Sequence, residues 1–349
     1  MKVPPENVAM QQVAERLADL VGVDQSEIRL KTGHTVPGRD RRDRVIAVGP
    51  FTFVVEWRGS GLAAQAAMAL QQVQRDAVDI DGAVPVVAVP FMGEAGRERC
   101  ANADVGWLDL SGNARIFAPG LRILIEGKPN QFKRRGRPSS PFAPKSSRIT
   151  RWLLMHPNDP LTQREIARAT DMDEGYTSKI VSKLEDDGLI LKDRSGAIKP
   201  RDPDLLLDAW REDYNFSKHH LVRGHVAARS GDALLRALVD SLQKASAEFA
   251  ATGLAAAWLL DQFVGFRTTS LYLAKAPTPE LLDSMSFRDD ERGANVWLIV
   301  PNDEGVFHGA SEVQGIRCVH PVQIYLDLEA HPERADEAAS NLRNSHLTW

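Results

Sequence analysis

Apolar residues in the first third of the chain follow a helical spacing at first and then a strand-like pattern. Apolar side chains every three or four positions predict an amphipathic helix over 8–21, and a polar, turn-rich segment follows. The next apolar runs predict strands at 44–48, 51–57, 84–90 and 105–110, with helices at 62–73 and 94–103. Residues 1–127 are therefore predicted to form an α/β sandwich with a mixed sheet.

Residues 146–203 have the pattern of three helices followed by a hairpin. The first predicted helix, at 146–157, ends at a cluster of two prolines with Asn and Asp. Thr162 and Glu165 have the spacing of a capping box, which predicts a short second helix that ends near Ala169. A third helix follows, and its buried stripe is predicted to comprise Thr177, Ile180, Val181 and Leu184.

The opposite face of the third helix carries small, hydroxyl and basic side chains, which suit phosphate groups and base edges. Alternating residues on both sides of Arg194 predict a two-stranded wing with a basic tip. The alternative is a small helical domain whose lysines are merely solvated. The candidate DNA contacts are Arg135, Arg137, Lys145, Gln163, Tyr176, Ser178, Lys179, Ser182, Lys183 and Arg194.

The order of these elements, with the sequence "LEDDGLI" at the end of the third helix, resembles the winged helix-turn-helix of MarR-like bacterial transcriptional regulators. The resemblance implies binding of double-stranded DNA. A homodimer is expected, because most prokaryotic DNA readers pair two half-sites.

Composition places the chain among ordinary globular proteins. A length of 349 residues, 43% hydrophobic and 26% charged, predicts two or three domains. We find neither a membrane-span pattern nor a signal-peptide pattern, so we expect a cytoplasmic protein of a bacterium, located at the nucleoid when bound to DNA. Cys100 and Cys318 are far apart and form no CxxC pair, which predicts buried, reduced, structural thiols.

Positive charge is concentrated in one segment. Residues 127–158 contain eight Lys or Arg and no Asp or Glu, so that a net charge of −4 less this +8 leaves −12 on the rest of the chain. A positive belt at the winged helix is therefore expected to orient the protein on a polyanion.

The first domain also contains a motif of metal-dependent nucleases. The order strand, Glu56-Trp57-Arg58, helix, strand, helix, strand resembles the PD-(D/E)xK restriction-endonuclease-like superfamily over residues 8–127. In active members an Asp and the Glu bind Mg²⁺ and a Lys positions water. Glu56 matches the Glu and Asp43 is a candidate partner. Arg58 stands in place of the Lys and cannot accept a proton, so we predict a degenerate domain without catalytic residues, metal or cofactor.

A basic, proline-rich linker spans 128–145. Its centre, Arg135-Gly136-Arg137-Pro138, resembles the core of AT-hook arms, which lie in narrow minor grooves. A solvated tether is the alternative.

Residues 204–349 mix helical and strand patterns, which predicts an α+β domain. Helices are predicted at 205–214, 231–251, 252–263, 322–328 and 334–347, and strands at 268–273, 296–300 and 317–319. His219, His220 and His225 near Asp213 fit no common metal-site spacing and are predicted to be surface histidines.

Three segments of the last hundred residues, "TGLAAAWLL", "RGANVWLIVPNDEGVF" and "CVHPVQIYLDL", are similar to the C-terminal domain of AbiEi-type antitoxin regulators. In that family a winged helix represses its own operon, and the antitoxin counters a nucleotidyltransferase toxin. Here the winged helix follows an additional domain.

The sequence thus favours a DNA-binding transcriptional regulator without enzymatic activity. An antitoxin with a toxin protein as partner and a metal-dependent nuclease are the alternatives. The fold class expected is multidomain α/β and α+β, with the winged helix-turn-helix in the middle. Nothing in the sequence marks an effector pocket.

Overall fold

The computed structural model describes residues 1–31, 45–132, 140–290, 292–329 and 331–349. The chain forms two compact units. The first comprises residues 1–138 with 187–189, and the second comprises residues 139–186 with 190–349.

The described part of the first unit contains helices and strands in alternation. In chain order they are α1 (Glu6–Val21), β1 (Ile28–Lys31), β2 (Val45–Val48), β3 (Phe51–Trp57), α2 (Ala63–Ala77), β4 (Ala83–Val89), α3 (Glu94–Asn102), β5 (Gly106–Asp109), β6 (Ala114–Ala118) and β7 (Leu121–Ile125).

Its seven strands form one mixed sheet in the order β1-β2-β3-β4-β5-β6-β7. The three central strands are parallel, with Val55 opposite Val86 and Val87 opposite Trp107. The other neighbouring pairs are antiparallel. The predicted mixed sheet is confirmed.

The sheet is buried on both faces because its central strands alternate between two cores. Phe53 and Val55 of β3 pack in one core with Leu17 of α1, whereas Val54 packs in the other core with Val73 of α2. Helix α2 begins two residues after Gly61, where a Cβ would lie 1.8 Å from the Phe91 carbonyl oxygen. Only glycine permits this close backbone approach.

The predicted helices and strands of this unit are confirmed, but strands β6 and β7 were not predicted and one segment was assigned wrongly. Ile28–Lys31, expected in a polar turn-rich segment, is a strand that pairs with β2. Its two apolar positions alternate with Arg29 and Lys31, and such a short alternation is hard to distinguish from a turn.

The described part of the second unit begins with the predicted three helices and wing. These are α4 (Ser147–Met155), α5 (Gln163–Ala169), α6 (Glu174–Asp186), β8 (Ile190–Lys192) and β9 (Ile198–Pro200). Leu161 forms an antiparallel bridge with Ile198, which adds a third short strand position beside the wing hairpin. The predicted winged helix-turn-helix is confirmed.

The remainder of this unit surrounds a second sheet. Its elements are α7 (Pro203–Asp213), β10 (His220–His225), α8 (Gly231–Lys244), β11 (Phe249–Thr252), α9 (Gly253–Asp261), β12 (Thr269–Leu273), α10 (Pro279–Ser284), β13 (Arg288–Asp289), β14 (Val296–Val300), β15 (Ser311–Val313), β16 (Ile316–Cys318), α11 (Pro321–Leu328) and α12 (Ala335–His346). The sheet has the order β13-β10-β14-β12-β11-β16-β15 and contains both parallel and antiparallel pairs.

The helix predicted over 231–251 is too long. It ends at Lys244, because Ser246 adopts a left-handed conformation with φ of 53°, and the amide of Ala247 donates to the Leu242 carbonyl. Phe249–Thr252 then forms a strand that pairs with β12. The alanine-rich sequence of residues 245–252 gave no sign of this change from helix to strand.

Cys100 and Cys318 are buried and unpaired, as predicted, and burial raises the pKa of both thiols to about 12. Within the described ranges, none of the helices has the length and apolar character needed to cross a membrane.

Candidate nucleic-acid interface

Helix α5 begins with the predicted capping box. The Thr162 hydroxyl accepts from the Glu165 amide at 3.2 Å, and the Thr162 amide donates to Glu165 Oε2 at 2.7 Å. This backbone hydrogen bond lowers the pKa of Glu165. The start of α5 is thereby fixed relative to the preceding strand position.

A tight turn connects α5 to α6. Asp171 adopts a left-handed conformation with φ of 52°. Asp173 then accepts from the Tyr176 amide through Oδ1 at 2.7 Å, and its carbonyl accepts from the Thr177 hydroxyl at 2.9 Å. These bonds satisfy the first free groups of α6 and fix the direction in which the helix leaves the turn.

Helix α6 has the two faces that its sequence predicts. Its buried stripe consists of Thr177, Ile180, Val181 and Leu184, each at most 2% exposed. Lys179, Ser182 and Lys183 are exposed, and Ser178 is half-buried beside them. The apolar stripe anchors the helix, and two lysines and a serine are left on the outer face.

Three other predicted contacts lie at the start of α6. The Tyr176 hydroxyl and the Ser146 hydroxyl are 2.7 Å apart, and exposed Lys145 has its Nζ 6.0 Å from the centre of the Tyr176 ring. Gln163 donates through Nε2 to the Glu174 carbonyl at 3.2 Å. The structure therefore brings Lys145, Gln163 and Tyr176 together where α6 begins.

Arg194 is exposed at the tip of the wing. Asp193 closes the hairpin by accepting from the Ser195 and Ala197 amides at 2.8 and 3.0 Å, and hydrogen bonding to Ser195 lowers the pKa of Asp193. Exposed Lys192 and Lys199 leave the wing basic in spite of this carboxylate.

The positive belt expected over 127–158 is weaker at the surface than its composition suggested. Arg148 is buried and binds Asp303 with Nε to Oδ1 at 2.7 Å and Nη2 to Oδ2 at 2.8 Å. Arg151 is 2% exposed. Both point into the protein because nearly all of α4 is buried, which a helical-wheel argument cannot reveal.

Sequence reasoning missed two exposed arginines on α5. Arg164 and Arg168 lie four positions apart on the face opposite buried Ile166 and Ala167. Arg164 Nε is 3.2 Å from Glu174 Oε1. The i, i+4 spacing was the available signal for a second basic surface beside α6.

Three predicted site residues, Asp43, Arg135 and Arg137, lie outside the described residues. Of the nuclease candidates, Glu56 is 1% exposed at the end of β3, and Arg58 Nη2 lies 2.9 Å from its Oε1. A guanidinium thus lies directly beside this buried carboxylate. In the described parts of the chain, no group of three or more His, Cys, Asp or Glu side chains could hold a metal ion.

The prediction of surface histidines is wrong for His219, although His220 and His225 are exposed. His219 accepts through Nδ1 from the Asn302 amide at 3.1 Å, and its Nε2 lies 3.0 Å from the Tyr214 hydroxyl. Burial lowers the pKa of His219 to about 4. A neighbouring helix and a loop cover His219, and nothing in the local sequence indicates that it is buried.

Comparison with known proteins gives two family matches. Residues 144–197 match the MarR family, and residues 200–348 match the family described as transcriptional regulator, AbiEi antitoxin, type IV toxin-antitoxin system. No curated protein and no solved structure matches the chain. Residues 1–143 lie outside both family matches, so the resemblance to nucleases stays a prediction. Residues 200–348 are thus similar to AbiEi-type regulators and residues 144–197 to MarR regulators, and the two matches together support a DNA-binding transcriptional regulator.

Proposed function

We propose that α6 reads the sequence of double-stranded DNA in the major groove and that the wing contacts the neighbouring backbone through Arg194. The observation that carries this proposal is the division of α6 into a fully buried apolar stripe and an exposed face with Lys179, Ser182 and Lys183. Lysine can bind guanine edges or phosphate, and serine can bind either kind of acceptor.

The start of α6 supplies positioning contacts. Lys145, Gln163 and Tyr176 lie together there, with Arg164 on the adjacent helix. Such side chains bind phosphate and fix the register of a helix in the groove without reading the sequence. The outer face of α6 then supplies the specificity.

Genome-wide mapping of bound DNA tests this function, because it identifies the binding site and the regulated genes together. We expect a discrete motif for the parent protein and its loss in the double variant Lys179→Ala/Lys183→Ala. The variant Lys244→Ala, an exposed helical lysine on α8, is the control for loss of positive charge. Unchanged occupancy in the double variant would contradict reading by α6.

We also propose that the protein binds DNA as a homodimer, which requires an inverted repeat in the mapped motif. Analytical ultracentrifugation with and without a DNA duplex containing the motif would give the stoichiometry. One chain per duplex, together with a motif lacking two-fold symmetry, would contradict the dimer.

A second candidate function is neutralisation of a nucleotidyltransferase-type toxin. The observation that favours it is the match of residues 200–348 to the AbiEi antitoxin family. Co-expression with a nucleotidyltransferase encoded beside this gene tests it. Rescue of growth by the chain would support an antitoxin, and rescue that survives Lys179→Ala/Lys183→Ala would separate this function from DNA binding.

A further inference from the structure

Arg151 of α4 is a buried cation in the second unit. Its guanidinium carbon lies 5.1 Å from the centre of the Trp210 ring, and Nη2 donates to Gln323 Oε1 at 2.5 Å. Among the described residues, Nε and Nη1 have no hydrogen-bond acceptor, although the side chain is only 2% exposed. Burial lowers the pKa of Arg151.

Trp210 is a second side chain with a donor that has no acceptor. Its indole Nε1 is buried and has no hydrogen-bond partner among the described residues. Arg151 and Trp210 line the same small cleft, which has a cavity volume of about 30 Å³. Donors that are withdrawn from water without an acceptor are costly, so two around one cleft require an explanation.

The carboxylates near the cleft already have partners. Asp303 accepts from Nε and Nη2 of Arg148 and from the Gly305 amide. Asp213 accepts from the Ser140 hydroxyl at 2.7 Å. Neither accepts from the guanidinium of Arg151.

Asp327 reaches Arg151 only indirectly. Gln323 accepts from Arg151 and donates through Nε2 to Asp327 Oδ1 at 2.8 Å. Asp327 also accepts from the hydroxyls of Thr252 and Tyr272 at 2.5 and 3.1 Å, and from the Tyr214 hydroxyl. The side-chain amide of Gln323 therefore separates the negative charge of Asp327 from Arg151. Nε and Nη1 of Arg151 and Nε1 of Trp210 are left without acceptors among the described residues.

We propose that this cleft binds a small oxyanion, a carboxylate or a phosphate, as an effector of the regulator. The anion would accept from Arg151 and the Trp210 indole, and exposed Lys218, which also lines the cleft, would attract it electrostatically. A planar guanidinium is well suited to two oxygens of one ligand.

The effector role rests on the proposed DNA-binding function, and α4 provides the physical connection. The residue before α4, Ser146, contacts Tyr176 of α6, and one turn further on Arg151 lines the cleft. A ligand that shifts α4 would therefore act on the start of α6. By linkage, the change in DNA affinity must equal the change in anion affinity on DNA binding.

Titration calorimetry of the full chain, without DNA, tests the site. Inorganic phosphate and acetate are the probes, and chloride at matched ionic strength is the control. We expect saturable binding of at least one oxyanion. Arg151→Met should weaken it by about 10- to 100-fold, because a charged hydrogen-bonding group is lost. Lys218→Ala should weaken it less and should make it less sensitive to salt.

Because phosphate could also bind the DNA-contacting face, Lys179→Ala is the control for location, and it should retain full anion binding. Lys218 is exposed, so its variant tests the cleft even if Arg151→Met does not fold. No oxyanion binding by the parent, or binding that changes only in Lys179→Ala, would overturn the site.

Operator affinity measured with and without the bound anion tests the effector role. A change that disappears in Arg151→Met supports it, and equal affinities overturn it. Since the calorimetry uses no DNA, failure of the site and failure of the DNA-binding proposal are distinguishable.

Discussion

Helices α4 and α6 belong to the same winged helix and each carries two basic residues, yet they use them in opposite ways. In α4, Arg148 and Arg151 are buried and contact the C-terminal part of the second unit. In α6, Lys179 and Lys183 are exposed. Basic residues on a winged helix are therefore not all accessible to DNA, and burial decides which of them can be contacts.

The chemistry of the side chains fits this division. Arginine forms planar, two-pronged hydrogen bonds, as Arg148 does with Asp303, and it tolerates partial desolvation. Lysine is strongly hydrated and remains at the surface. The four residues thus separate into a structural pair that ties α4 to the following sheet domain and an exposed pair on the outer face of α6.

The largest expected effect is a loss of stability when Arg148 of α4 loses its partner. Asp303→Ala should destabilise the protein by about 3–5 kcal/mol, because it leaves the Arg148 charge buried without its two-pronged partner. Chemical denaturation measures the loss. The control is Asp240→Ala, which removes an exposed pair with Lys244 and should cost about 0.5 kcal/mol or less. Equal effects of the two variants would show that burial of the Arg148 pair is unimportant.

The buried stripe of α6 should respond nearly as strongly. Leu184→Ala is expected to cost about 2–5 kcal/mol, since Leu184 is fully buried and its truncation leaves a cavity. Ser182→Ala, on the exposed face of the same helix, is the matched control and should change stability little. A small effect of Leu184→Ala would mean that α6 is not anchored by this stripe.

Acidification should act on the polar network behind α4. The folded-state pKa of His219 lies at about 4, below its ordinary 6.5, because burial disfavours the charged form. Below pH 6.5 the unfolded chain binds a proton that the folded chain refuses, so stability is lost as pH falls from 6.5 towards 4. His219 alone accounts for up to roughly 3 kcal/mol at about 1.4 kcal/mol per pKa unit.

Asp327 opposes part of this loss, because burial raises its pKa to about 6 and the folded state takes up that proton first. Urea denaturation between pH 7 and 4.5 measures the balance. His219→Gln should flatten the pH dependence, whereas His220→Gln, at the exposed neighbouring position, should not. Identical curves for the parent and His219→Gln would exclude His219 as the cause.

Local patterns predicted most of the elements and the two faces of α6, because helix periodicity and capping depend on neighbours within a few residues. Thr162 and Glu165 specified the start of α5 in this way. The roles of Arg148, Arg151 and His219 could not be predicted, since their partners Asp303, Gln323 and Asn302 lie far away in the sequence. The cleft is built from such distant contacts and therefore has no motif.

The DNA affinity of a variant at Lys179 tests the α6 side of the comparison between α4 and α6. Lys179→Ala should leave stability nearly unchanged but cost about 1–3 kcal/mol of specific binding if the lysine reads a base. Discrimination between the operator and a mutated site separates base reading from phosphate contact. Lys244→Ala controls for the lost charge. If Lys179→Ala binds and discriminates like the parent protein, this lysine does not read the operator.

The smallest expected effect is at the wing. Arg194 is exposed at its tip, where a phosphate contact would add affinity without specificity. Arg194→Ala should therefore weaken binding to all sequences about equally and reduce the slope of log K against log salt by about one. Fluorescence anisotropy at several salt concentrations measures this slope, with Arg236→Ala on α8 as the exposed-arginine control. A change in sequence preference instead would mean that the wing reads bases, and an unchanged slope would mean that it does not reach the DNA. Either result would change which of the exposed cations are assigned as DNA contacts, in contrast to the buried cations of α4.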